Sequence, residues 1–260
     1  MAVPIFKFYA FLLPAIFGLG ACGGAMVRAP AAVYRNSALE ERTKRAVVRV
    51  KLYKSKNAKK SAGCTAEVIS REDNNYLLAT AAHCVLIDTE EKDRSKWKLV
   101  EKIELVLTSF DNENLKQVYP AKLLAYEYDK KADVDFAILA ATIPVNLPVL
   151  YLSLDEPVYK QCVLNFSFPR RKTADLLYGY VDDILVFSQK SFIIRLGGLV
   201  DPRGASGSAV IDCVDGKILG FAVGSWLPEL PDKLMVLTVK NFIRFLSRHQ
   251  IKLSQGSISL

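Results

Sequence analysis

From residue 44 onward the chain alternates short runs of β-branched and aromatic residues with polar interruptions. RAVVRVKLY, CTAEVIS, NYLLATAAHCV, KIELVLTSF and YPAKLLAYEY fill the first half; QCVLNFSFP, DILVFSQ, SFIIRL, SAVIDCV, KILGFAVG and LMVLTV fill the second. Several alternate apolar with polar at period two, as strands with one buried face do. KNAKKSAG, between the first two runs, and VDG at 214–216 read as exposed turns. The last stretch, KNFIRFLSRHQI, has a different period: Phe242, Ile243, Phe245 and Leu246 share one broad helical face. The pattern predicts an all-β chain closing with a C-terminal α-helix, built as two packed barrels or a sandwich. Strands are not interleaved with helices, which argues against an α/β hydrolase.

The first thirty residues follow another pattern. One lysine, Lys7, precedes an apolar run, the form of an export signal. The run ends in Leu19-Gly20-Ala21-Cys22, which resembles the lipobox of bacterial lipoproteins and implies cleavage before Cys22 with lipidation of its sulfur. Two other readings stand beside it. Residues 8–27 are long enough for an uncleaved anchor, which takes about 20 residues, and a plain secretory signal would be cut after Ala25. All three export the remainder, so the expected location is the cell envelope, lipid-anchored to a membrane, or otherwise the exterior. The expected divisions are a signal peptide over 1–21, a tether over 22–41, a first β-barrel over 42–150 and a second barrel with the helix over 151–260.

Composition narrows the function. The 260 residues are 51% hydrophobic, enough for one large β domain or two modest ones. The net charge of +8 is scattered through RTKR, KLYKSKNAKK, DRSKWK and PRRK, with no basic stripe interleaved with aromatics. Nucleic acid is therefore not an expected partner. No repeat and no phosphate-cradling glycine loop appears, and no cofactor is expected. Besides Cys22 there are four cysteines, Cys64, Cys84, Cys162 and Cys213. None forms a CxxC pair, so no metal site is expected; in an exported protein they point to two disulfides, with three possible connectivities.

The chain has only two histidines. His249 falls at the end of the terminal helix, where it suits the helix dipole or is solvated. His83, in TAAHC, follows a buried run, and its plainest reading is a core histidine bonded to a carbonyl. Gly204-Ala205-Ser206-Gly207-Ser208 reads as a turn that exposes a hydroxyl, although glycine and serine make turns everywhere. A serine hydroxyl is a weak nucleophile and needs a base in reach, and the base needs an acceptor to fix its tautomer. His83 can be the base; Asp133 or Asp135, before the apolar run FAILAA, can be the acceptor.

Taken together, TAAHC, Asp135-Phe136-Ala137-Ile138-Leu139 and GASGS, in that order, resemble the histidine, aspartate and serine signatures of trypsin/chymotrypsin-type serine proteases over roughly residues 44–250. The resemblance implies two six-stranded antiparallel β-barrels with a C-terminal helix, and a serine endopeptidase acting on protein or peptide substrates. It implies catalysis by His83, Asp135 and Ser206, with Asp133 the lesser candidate for the acid, and an oxyanion hole from the backbone N–H groups of Gly204 and Ser206. It also implies disulfides Cys64–Cys84 and Cys162–Cys213. Substrate is expected to pair with residues 220–225 as an added strand. Val200 is expected near the base of the specificity pocket, with Ala222, Val223, Gly224 and Ser225 as a wall; the alternative has Asp201 pointing in to favour a basic residue. Position 205 is alanine where digestive members carry an aspartate, and no IVGG-like start is present, so activation by cleavage and insertion is not expected. SAVIDCVDGKILGFAV looks closer to bacterial proteases of the high-temperature-requirement type, but the chain ends soon after the helix and no PDZ domain is expected. Ser208 replaces a common glycine. Other readings are a catalytically silent binding module of the same fold and an esterase using the same three residues.

Overall fold

The computed structural model describes residues 36–55, 62–87, 97–108, 116–129, 133–168, 175–185, 191–199, 201, 203–227, 230–254 and 257–259. The signal peptide, the lipidation candidate Cys22 and the pocket candidate Val200 lie outside them.

The first half of the chain forms β1 (Val47–Tyr53), β2 (Ala62–Glu72), β3 (Asn75–Thr80), a two-stranded ribbon of β4 (Leu86–Ile87) and β5 (Lys98–Leu99), then β6 (Lys102–Thr108), β7 (Lys116–Asp129) and β8 (Val134–Thr142). Six of these close an antiparallel barrel in the order β1-β2-β3-β8-β7-β6, with β6 returning to β1. Alternation supplies its interior: Val48, Val50 and Leu52 from β1, Ala66 and Val68 from β2, Ala137 and Leu139 from β8. The second half forms β9 (Leu152–Ser153), β10 (Cys162–Ser167), β11 (Asp175–Ile184), β12 (Ser191–Leu196), β13 (Ala209–Asp212), β14 (Ile218–Leu227), β15 (Leu230–Thr238) and β16 (Ile258–Ser259). The order β13-β10-β11-β12-β15-β14 closes through the β13–β14 pairing into a second six-stranded barrel, with Val163, Val181, Phe192, Ile194, Val210 and Val236 inside. The short β9 and β16 add in parallel beyond β14.

A third apolar cluster lies between the barrels. The outward faces of β2, β3 and β8 (Ile69, Ala79, Phe136, Ile138) meet those of β13 and β14 (Ala209, Ile211, Phe221). The C-terminal helix, Val239–Arg248, begins where the Thr238 hydroxyl accepts the Asn241 N–H. It lays Phe242 and Phe245 into this seam, with ring centroids of Phe242 4.7 Å from Phe221 and 5.2 Å from Phe136. Full burial of each such ring is worth roughly 1.5–3 kcal/mol, so the seam is a core in its own right.

Three elements depart from the sequence pattern. Residues Ser37–Ala46 form a helix, so the end of the stretch expected to be a tether is folded. We number it α1. The Asn36 side chain caps it at Leu39 N–H (3.1 Å), and Leu39, Thr43 and Ala46 bury one face at helical spacing. It touches both halves: the Tyr178 hydroxyl of β11 donates to Glu40 at 2.6 Å, while Arg42 and Arg45 donate to the carbonyls of Val149 and Asn146 in the connection between barrels. Second, NYLLATAAHCV is not one strand. β3 stops at Thr80 and Ala82–Val85 make a single helical turn, α2, because the alanines favour helix over strand and the chain must leave the sheet here. Third, β11 begins upstream of the DILVFSQ run expected to form that strand and takes in its first two residues, Asp183 and Ile184; residues 186–189 of the run lie outside the described ones. Gly179 within β11 faces β12 so closely that a Cβ would sit 1.9 Å from the Arg195 carbonyl oxygen. The helix following Thr238 is α3.

Candidate active site

His83 is the second residue of α2, at the rim of the first barrel. Asp135 is the second residue of β8, with its side chain only 11% exposed. One carboxylate holds the histidine twice: the His83 backbone N–H donates to Oδ1 at 2.8 Å, and Nδ1 lies 2.6 Å from Oδ2. The first contact fixes the main chain and the second fixes the tautomer. With the proton on Nδ1 facing the carboxylate, the lone pair at Nε2 is the basic one. The choice between the two aspartates is thus made by geometry. Asp133 is at φ 51° in the turn before β8, its carbonyl accepts the Asn241 side-chain amide at 2.7 Å, and it lines the cleft without contacting the ring. His249 lies at the end of α3, 3.5 Å from Glu127 and with its ring tilted against Phe245, away from this site.

Ser206 comes from the second barrel, on the turn leading into β13. That turn rests on β2 of the first barrel. Thr65 donates its backbone N–H to the Ser206 carbonyl at 3.0 Å and its hydroxyl to the Gly204 carbonyl at 2.9 Å. The same hydroxyl accepts the Phe168 N–H at 3.2 Å. Two glycines are required by this path: Gly204 at φ +98° and Gly207 at φ +87° occupy the left-handed region. A Cβ on Gly207 would also lie 2.3 Å from the Thr65 carbonyl oxygen and 2.4 Å from the Thr80 hydroxyl. The Gly207 N–H is bonded to the Ala222 carbonyl and the Ser208 N–H to the Ala205 carbonyl, at 2.8 and 2.9 Å. Among the described residues no carbonyl accepts from the N–H of Gly204 or Ser206, the two candidate oxyanion donors.

His83 and Ser206 together line two adjoining hollows. One, of about 620 Å³, is walled by Leu86, Trp97, Tyr128, Val223, Gly224, Ser225 and Met235. The other, of about 800 Å³, is walled by Leu52, Gly63, Cys64, Cys84, Arg203 and Gly204. A larger groove of about 860 Å³, between β3, β7, β8 and residues 252–254, contains neither His83 nor Ser206 and has no bearing on this chemistry.

The remaining predicted residues fall unevenly. Val223, Gly224 and Ser225 line the cleft, but Ala222 is buried, donates its N–H to the Ser208 carbonyl and accepts from Gly207, so it braces the serine turn from behind. Asp201 is buried, and its carboxylate accepts the Arg203 backbone N–H at 3.0 Å and the guanidinium at 2.6–3.0 Å. That pairing raises the Arg203 pKa further and already engages the charge that would have selected a basic residue. The disulfides are Cys64–Cys84 and Cys162–Cys213. Cys64, His83 and Cys84 cluster within 4.8 Å, the spacing of metal ligands, but the sulfurs are bonded to each other and offer no thiolate. Sequence reasoning missed Thr65, Trp97, Tyr128 and Arg203. Thr65 adjoins a cysteine that was singled out. The aromatic pair, stacked with centroids 6.2 Å apart, comes from positions far apart in the chain, Trp97 just before β5 and Tyr128 in β7, with no shared motif.

The arrangement offers an alcohol, an imidazole oriented by a carboxylate and paired N–H donors around one cleft, which suits acyl transfer. A family model for the trypsin-like peptidase domain matches residues 64–221. No curated protein matches. Many solved structures do. The serine endoprotease from Yersinia pestis is 16% identical with TM-score 0.57, over 82% of this chain and 65% of its own. The Rv3671c protease from M. tuberculosis in its active form is 18% identical with TM-score 0.59, over 97% and 98%. The HtrA-type protease AlgW, solved with a tripeptide, is 16% identical with TM-score 0.57, over 83% and 63%. At these identities the structures show a common fold, and the chain spans just under two thirds of the Yersinia and AlgW chains.

Proposed function

The chain belongs to the trypsin-like peptidase family, and from that premise we propose that it is a serine endopeptidase acting through Ser206, His83 and Asp135. The observation that carries this reading is the two-point contact between Asp135 and His83 in the cleft that Ser206 also lines. The Ser206 hydroxyl attacks a peptide carbonyl and His83 Nε2 takes its proton. Asp135 keeps the ring oriented and stabilises the imidazolium. The carbonyl oxygen, now negative, is met by the N–H groups of Gly204 and Ser206. His83 returns the proton to the departing amine as the C–N bond breaks, leaving an acyl group on Ser206, and water repeats the sequence to release the acid. Desolvated donors aimed at an oxyanion are worth about 10²–10³ in turnover each. The substrate lies extended along Val223–Ser225, where the pairing of β14 with β13 has ended at Phe221. The protein is exported and anchored through a lipid on Cys22, a reading supported by Leu19-Gly20-Ala21-Cys22.

A fluorophosphonate probe tests the reaction. Wild type labels and the Ser206→Ala variant does not, and a peptide library is cut only by wild type. Absence of labelling in both makes the chain a binding module; hydrolysis of esters but no peptide makes it an esterase. Mass spectrometry of the membrane fraction checks the anchor: a diacylglyceryl-modified Cys22 as the first residue is expected, and an intact residue 1 refutes it.

A further inference from the structure

β2 sends three residues outward into the seam, and two of them have evident tasks. Thr65 carries the serine turn, as described, and Ile69 joins the apolar cluster with Ala209 and Ile211. Between them stands Glu67, 0% exposed, opposite Val47 of β1 and Ala79 of β3. Neither of its carboxyl oxygens has a hydrogen-bond partner among the described residues. The backbone N–H of Ala209 favours the charged form of the carboxyl group, although neither oxygen closes a hydrogen bond. Ala209 is the first residue of β13 and stands three positions after Ser206. A carboxyl group is an improbable choice for a seam otherwise filled with phenylalanine and isoleucine, unless its polarity is used.

We propose that Glu67 is a positioning residue: its carboxyl group fixes where β13 begins and thereby where Ser206 stands. This rests on the reading of Ser206 as the nucleophile. Thr65 holds the front of the turn at Gly204 and Ser206; Glu67, two residues further along the same strand face, holds the exit of the turn at Ala209.

The group acts as a neutral acid. Burial raises its pKa well above the usual carboxylate range, and the Ala209 amide opposes this only in part. Arg49 of β1 lies across from Thr65, on the face that carries Glu67, but neither Glu67 oxygen accepts a hydrogen bond from it. The other charged groups on the surrounding elements are turned to other tasks. Asp212 of β13 binds the Gln161 side chain and the Val214 N–H. Asp135 of β8 holds His83, and Glu40, Arg42 and Arg45 of α1 are bonded as described, with Lys44 beside them in the last turn. β3 faces the seam with Leu77 and Ala79. An ionised Glu67 would be a charge with no hydrogen-bond partner in this core, favoured only by the Ala209 amide.

The sign of the pH dependence follows. In the unfolded chain the group loses its proton near pH 4.3. Between that value and its raised folded value the native state holds a proton that the unfolded state has released, so stability falls as pH rises. Each pH unit in that window moves the folding equilibrium about tenfold.

Two variants of the full chain test the proposal. Thermal midpoints of wild type and Glu67→Gln, measured from pH 4.5 to 8.5, are expected to separate progressively as pH rises, with wild type falling relative to the amide. Parallel curves overturn the protonation claim. Peptide turnover then separates positioning from filling. Glu67→Gln keeps the polar contact and is expected to stay within about threefold of wild-type kcat at pH 7. Glu67→Leu, of similar volume and apolar, is expected to unfold no earlier than wild type yet lose at least tenfold in kcat with KM within twofold. A leucine variant with wild-type kcat overturns the positioning role. If wild type itself neither labels nor turns over, the peptidase reading fails instead, and the thermal curves still decide the state of Glu67.

Discussion

The first barrel holds its part of the cleft from within, whereas the second leans on its neighbour. The His83–Asp135 contacts run between α2 and β8 of the same barrel, 52 positions apart. The Ser206 turn has braces within its own barrel, from Ala222 and from the Asn165 amide at Ser208 and Ala209, but its carbonyls at 204 and 206 are both held by Thr65, across the seam. The His83–Asp135 pair therefore persists as long as one barrel does, while the carbonyls that flank Ser206 keep their partner only as long as two barrels stay in register. In such a molecule activity can be lost at the seam while both cores remain intact.

The largest expected effect breaks the internal latch. Asp135→Asn keeps the shape but can hold His83 in the wrong tautomer, and kcat at pH 7 should fall by about 10⁴-fold, the loss such a change brings in trypsin-type triads. Retention of more than a tenth of wild-type kcat would mean that the carboxylate is not the orienting acid. Next is the seam. Gly207→Ala drives a methyl group into the Thr65 carbonyl and the Thr80 hydroxyl at positive φ. It should remove two to three decades of kcat and destabilise by about 2–4 kcal/mol. Its near-ultraviolet circular dichroism should stay folded below the lowered midpoint.

The smallest effect sharpens the contrast through the disulfides. Cys162–Cys213 spans 51 positions and Cys64–Cys84 spans 20. Loop-closure entropy predicts losses of about 4 and about 3 kcal/mol on their removal as serine pairs. Activity should order the other way. The shorter loop abuts His83 and lines the cleft, so its removal lowers kcat about tenfold at a temperature where both variants are folded, and removal of the Cys162–Cys213 bridge leaves kcat within twofold. Equal kcat losses would show that the two barrels share the cleft evenly.

Much of this was legible in one dimension. Strand alternation and the resemblance together gave two six-stranded barrels, because pleat and burial act locally. TAAHC and GASGS carry their own turn chemistry, and Asp135 stands at the start of a strand that is buried over its first six residues. What the sequence hid is contact between distant segments. Thr65 reads as one more β-branched strand residue, and Glu67 as a polar residue due to face water. Nothing local tells that the outward face of β2 meets a second barrel. α1 was hidden for a related reason: its few apolar residues become a face only against the seam.

That helix has a mechanical consequence. It is the first described element of the chain, grips β11 through Glu40, grips the connection between barrels through Arg42 and Arg45, and runs straight into β1. Any tension arriving along the polypeptide from before Asn36 loads these contacts, with one strand of the second barrel and with the connection, before it reaches β1.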